Sequence, residues 1–231
     1  MKTETKTTSL MQTSSSRRNF LTNALRGGGV ALALGSLPFA ASKALAVEGP
    51  CLACNDGLTD IQILNFALTL EHLENAFYRD GLAQFNQKDF FQGKFARGYS
   101  GKFRRNIYPY FQIIADHERI HVETLTTVIT SLGGTPVQEL CYNFGYSSVE
   151  EFVAVAQLLE NTGVMAYDGA IHLICSPDLQ TAGATIATVE ARHASYLNLL
   201  NGDIPFPAPF DTPKTMAEIL AAAGGFIVPC P

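Results

Sequence analysis

The sequence predicts an all-α protein: an antiparallel four-helix bundle with a short C-terminal helix and a proline-rich tail. Three observations predict it. Apolar residues recur at helical spacing over four long stretches, helix-capping signatures precede them, and alternating strand patterns are almost absent. A chain of 231 residues, 47% hydrophobic and 16% charged, supplies enough apolar material for one such core without depending on disulfides.

Residues 1–46 stand apart. A polar Ser/Thr-rich leader runs into Ser16-Arg17-Arg18-Asn19-Phe20-Leu21, then a weakly apolar stretch from Gly29 to Ala41, then Ala44-Leu45-Ala46. An arginine pair, an apolar run and a small-residue cleavage site in that order predict a twin-arginine export signal, cut after Ala46. The expected location is therefore exported, periplasmic or extracellular, with the twin-arginine translocation machinery as a partner. The apolar run is too short and too glycine-rich for a membrane span, and Lys43 closes it. That route is similar to the one taken by proteins that fold, and often load a cofactor, before crossing. Losing six Lys/Arg and one Glu with the signal leaves ten basic and twenty acidic side chains, a net charge of -10. Such a balance excludes nucleic acid and an anionic membrane surface as partners.

Residues 47–58 are a lead-in holding Cys51-Leu-Ala-Cys54. A thioredoxin-like reading of this pair needs a strand-to-helix context that is missing, and a cysteine zinc site needs two more ligands. With Cys141, Cys175 and Cys230 the chain has five cysteines, for which structural disulfides are expected outside the cytoplasm, the odd count leaving one thiol over. The pairing stays open.

The bundle is expected over residues 59–202. The first helix, about 60–84, starts at the capping box Thr59-Asp-Ile-Gln62 and carries Leu64, Ala67, Leu68, Tyr78 and Leu82 on one stripe. A connector rich in Gly, Lys/Arg and aromatics follows and is expected to be a long ordered loop. The second helix, about 107–132, tolerates Pro109 in its first turn and ends at Gly133-Gly134. The third runs from the capping box Ser148-Val-Glu-Glu151 to about Ile174, and the fourth from Ser176-Pro177 to just before Gly202. Residues 203–231 are proline-broken, with a short helix capped by Thr215-Met-Ala-Glu218. This tail and the aromatic connector are candidates for covering the bundle ends or for a contact in a homo-oligomer.

Each long helix has an acid in the middle of the face that should be apolar: Glu71, Glu118, Glu160 and Glu190. Carboxylates brought together in a core repel one another and demand a cation. The second and fourth helices add a histidine three residues on, in Glu118-x-x-His121 and Glu190-x-x-His193, so that both side chains project from one face. Four carboxylates and two imidazoles make a two-metal complement suited to iron or manganese, with zinc a third choice. Glu74 competes with Glu71, which is favoured because Tyr78 follows it by seven residues, as Tyr167 follows Glu160. The two tyrosines are candidates for hydrogen bonds to ligand carboxylates, for one-electron donors, or simply for core aromatics. His72 and His172 flank the stripe and are expected to be satisfied or at the surface.

The order Glu71, Glu118/His121, Glu160, Glu190/His193 resembles the ferritin-like di-iron and di-manganese carboxylate family, and in particular its branch of exported bacterial and desiccation- or stress-related proteins. DIQILNFALTLEHLENAFYRDGL and the two Glu-x-x-His motifs carry the resemblance, over roughly residues 58–200. It implies a metal-capable bundle, and the complete set of six candidate ligands makes oxidoreductase chemistry on oxygen or peroxide, or iron oxidation, the expected activity. The alternative is a non-enzymatic stress-protective or metal-storage bundle. A remote alternative reads His117-Glu118-Arg119-Ile120-His121 as the zinc-peptidase motif, with His117 and His121 as ligands and Glu118 as base, but it leaves Glu71, Glu160, Glu190 and His193 without purpose.

Overall fold

A computed structural model describes residues 57–230. The export signal and the Cys51/Cys54 pair lie outside the described residues. The four long helices are α1 (Asp60–Gln84), α3 (Gly101–Ser131), α4 (Val149–Ala170) and α5 (Pro177–Leu200); α2 (Gln87–Gln92) and α6 (Met216–Ala223) are short. The capping boxes at Thr59, Ser148 and Thr215 form as their sequences require, each hydroxyl accepting from the backbone N–H three residues on. No helix among the described residues is long and apolar enough to cross a membrane.

Two hairpins make the bundle. α1 packs chiefly on α3 and α4 chiefly on α5, while α1 and α4 meet across the middle. The other three long helices each bury a face running through the acid, Ile114, Glu118, His121 and Leu125 on α3, Val153, Ala156, Glu160 and Val164 on α4, Ile186, Glu190, His193 and Leu197 on α5, while Val128, Leu132 and Ile171 at the ends of those stripes are only half-buried. α1 is buried over a much wider arc. Ile63, Phe66, Leu70, Leu73 and Phe77 are covered as well as the expected Leu64, Leu68 and Tyr78, whereas Ala67 and Leu82 are only half-buried.

The connector is not the long loop that its composition predicts. It holds α2 and a 3-10 turn at Lys94–Ala96, and α3 begins at Gly101, so Pro109 lies inside that helix rather than in its first turn. Proline there leaves the Arg105 carbonyl without its helical donor. What outweighs the loss is aromatic packing: Phe90, wholly buried, packs on Tyr108 and Phe111 of α3 and on Phe152 of α4. Ser100 caps the early start through the Phe103 N–H, and Phe103 stacks on Tyr99.

The crossover between α3 and α4 carries β1 (Cys141–Tyr142), which pairs antiparallel with β2 (Ile227–Val228), and Cys141 is bonded to Cys230. The C-terminal segment is thus tied back beside α4, on which α6 packs. Gly169 makes the route possible, because a Cβ at that position would meet the Lys214 carbonyl oxygen. Lys214 also donates its N–H to the Met165 carbonyl at 3.1 Å.

Candidate metal centre

At mid-bundle, where hydrocarbon would serve stability best, α1, α3, α4 and α5 bring Glu71, Glu118, Glu160 and Glu190 together, each with no exposed surface. His121 and His193, one turn along from their motif acids, turn Nδ1 towards them. His121 Nδ1 stands 3.2 Å from Glu71 Oε2, 3.1 Å from Glu118 Oε2 and 3.2 Å from Glu190 Oε1. His193 Nδ1 stands 3.1 Å from both Glu118 Oε1 and Glu160 Oε2. One imidazole nitrogen carries at most one hydrogen, so it cannot serve two or three carboxylate oxygens. Glu118 Oε1 and both oxygens of Glu190 accordingly have no well-directed hydrogen bond, although they are buried.

Those unserved oxygens are what a cation would bind. Two groups of donor atoms form, each within 4.8 Å of one another: Glu71, Glu118, His121 and Glu190 in one, Glu118, Glu160, Glu190 and His193 in the other. The six residues singled out from the sequence make up both groups, and Glu118 and Glu190 belong to each. Carboxylate oxygens with imidazole nitrogen suit iron, manganese or zinc, and two divalent cations balance four carboxylates. The residues present therefore fit a pair of metal ions.

Without metal, protons take over the charge balance. Burial, reinforced by Glu160, raises the Glu118 carboxyl to about 7. Burial, with Glu118 and Glu160 beside it, lifts Glu190 well above the carboxylate range. On His193, burial lowers the pKa but the hydrogen bonds its ring donates to Glu118 and Glu160 outweigh it, for a net rise to about 9. His121 behaves likewise: burial opposes the charge, and Glu118, Glu190 and Glu71 more than restore it.

The two tyrosines cross between the halves. Tyr78 on α1 donates to Glu160 Oε1 on α4 at 2.5 Å, and Tyr167 on α4 donates to Glu71 Oε1 on α1 at 2.5 Å. Each fixes the carboxylate of the other hairpin and leaves its second oxygen for the imidazole side. Burial and those carboxylates push both phenols up, so they stay protonated as donors.

His117 belongs to neither donor group. Its Nδ1 lies 2.9 Å from His193 Nε2, with the two rings nearly parallel at 16°. The zinc-peptidase frame, which needs His117 and His121 to converge, is not what the side chains adopt. Of the flanking histidines, His72 meets the Val137 carbonyl at 3.1 Å and His172 is exposed. Glu74 is also outside both groups, yet it is only 4% exposed, and burial followed by Glu160, Glu118 and Glu71 raises its pKa well above the usual value. The sequence presents it as a rival to Glu71. It is instead a fifth buried carboxyl.

An all-α bundle with a buried glutamate–histidine cluster shared among four helices defines a carboxylate-centred, metal-capable bundle protein. The family model for the ferritin-like domain matches residues 59–203, more than half of the chain, and the protein belongs to that family. It is 30% identical over 178 residues to Protein rds1 of Schizosaccharomyces pombe, a stretch covering 74% of this chain and 40% of that protein. The chain thus spans less than half the length of this relative.

Proposed function

We propose that the six residues Glu71, Glu118, His121, Glu160, Glu190 and His193 hold two iron or manganese ions, and that the protein is an exported oxidoreductase acting on oxygen or peroxide, or oxidising iron, in stress protection. The observation that carries the reading is the set of buried, unserved oxygens on Glu118 and Glu190, a cost that an apolar core would avoid. Paired ions of this kind supply electrons one or two at a time to a small oxidant. Glu118 and Glu190, which belong to both donor groups, would serve both ions, His121 and His193 would each serve one, and Glu71 and Glu160 would each complete one group, steadied by Tyr167 and Tyr78. Burial of the whole set keeps bulk water from the reacting groups. The arginine-pair signal of residues 1–46 supports export after folding.

Metal analysis and gas consumption test the reading together. Protein purified from its own compartment should carry about two equivalents of iron plus manganese, on the two-metal pattern of such bundles, and consume oxygen or peroxide when reduced. Bound metal with no turnover on either oxidant would leave a storage or protective bundle in its place.

A further inference from the structure

Between α1, α4 and the C-terminal segment lies a cavity of about 40 Å³. Leu70, Leu73 and Leu159 form its buried wall, and Ala223 and Phe226 of the C-terminal segment cover it. Leu158, 56% exposed, and the exposed Ala222 mark its mouth. Inward, the lining ends at Glu74 and Gly163.

Gly163 is where the cavity touches the cluster. A Cβ on it would sit 3.2 Å from Glu74 Oε1 and 3.3 Å from Glu190 Oε2. With hydrogen there instead, an unserved oxygen of the centre and the carboxyl of Glu74 share one small space at the cavity floor. Glycine also occupies the position three residues after Glu160 that Glu74 occupies after Glu71, so one half of the bundle supplies a carboxyl and the other supplies the room for it.

Size and lining select the occupant. A single water needs roughly 10–15 Å³ of such volume, so about 40 Å³ admits a molecule of two or three atoms and no organic substrate. Thr162 and Glu74 are the only polar side chains in the wall. A metal cation entering here would lose its water against one carboxyl and one hydroxyl, and hydrogen peroxide would have few partners for its two donors. A neutral apolar diatomic loses nothing by leaving water. We infer that this cavity is the docking and entry site for dioxygen, with the segment held by Cys141–Cys230 as its outer wall and Gly163 as its opening to the centre.

The inference rests on the oxygen chemistry proposed above, and two readouts separate them. Crystals of the metal-free protein pressurised with xenon should show one xenon between Leu73, Leu159 and Ala223. Ala223→Val, which fills the space, should abolish that site. In the metal-loaded protein, Ala223→Val and Ala222→Leu at the mouth should raise KM for oxygen several-fold, with kcat at saturating oxygen and metal content unchanged. Because Ala222 is exposed, its variant tests the route even where Ala223→Val fails to fold. An empty cavity under xenon, or wild-type KM for oxygen in both variants, overturns the docking site. A KM effect on peroxide alone shows the occupant to be wrong. Xenon bound in a protein that consumes no oxygen sinks the reaction assigned above and upholds the cavity as a gas site.

Discussion

The hairpin of α1 and α3 and the hairpin of α4 and α5 carry the same chemistry at the same spacing, and two of the positions at which they differ bear on it directly. In both, a tyrosine follows the first glutamate by seven residues and a histidine follows the second by three. The structure makes those repeats reciprocal, each tyrosine bonding the other hairpin's glutamate. These two are Glu74 against Gly163, and His117 against Val189, the residues immediately before the two Glu-x-x-His motifs. Matched positions hold the donors. Unmatched ones make the two ends of the centre unequal: His117 backs the far nitrogen of His193, whereas Val189 has no polar group to offer its own neighbours.

The largest effect should come from removing what the halves share. Glu118→Ala or Glu190→Ala deletes a donor from both groups and should abolish binding of both ions, while Glu71→Ala or Glu160→Ala should cost only one, as read by metal stoichiometry per chain. The metal-free Glu190→Ala protein should melt at the same or a higher temperature, since an unserved buried carboxyl is gone. Equal losses from all four variants would erase the distinction between shared and terminal acids.

His117→Val copies the second half's residue into the first. Losing a hydrogen bond behind a ligating imidazole should weaken one of two metal-binding steps by about 10- to 100-fold, and His117→Asn, whose amide oxygen can still accept from Nε2, should restore most of it. Two binding steps that shift together in a chelator-competition titration would show that His117 acts on the fold rather than on His193.

Stability against pH separates the metal-free protein from the loaded one. His193, raised to about 9, and Glu118, raised to about 7, both bind protons more tightly folded than unfolded. Their contribution is therefore complete at low pH and is lost as pH rises, for Glu118 from about 4.5 through 7 and for His193 from about 6.5 through 9. Melting of the metal-free protein should fall by several degrees from pH 5 to pH 9, and the metal-loaded protein should not follow it. A rising or flat metal-free profile would contradict this charge balance.

The smallest effect should also be the most symmetric. Tyr78→Phe and Tyr167→Phe each remove one hydrogen bond to a carboxylate and should each cost about 1–3 kcal/mol by denaturant unfolding. A large difference between them would break the reciprocity of the hairpins.

Much of this was legible in the chain, because it lies in local signals. Capping boxes placed the starts of α1, α4 and α6, and four acids interrupting apolar stripes, with a histidine three residues after two of them, marked the six residues that come together in the core. The connector's composition reads as a loop and puts Pro109 in a first turn, since the contacts of Phe90 that hold the α2–α3 corner come from residues far along the chain. The pairing of Cys141 with Cys230, 89 residues apart, depends on the C-terminal segment returning past α4. His117 could have been found by aligning HERIH with VEARH and asking which histidine the preceding residue faces. That Glu74 sits over Gly163 needs two helices in register, and no spacing within one of them reports it.

Anomalous diffraction from crystals grown with iron or manganese tests the central claim most directly. Two peaks are predicted, one beside His121 and one beside His193, with Glu118 and Glu190 touching both. A single peak held by His117 and His121, or no peak among the four glutamates, would contradict the account.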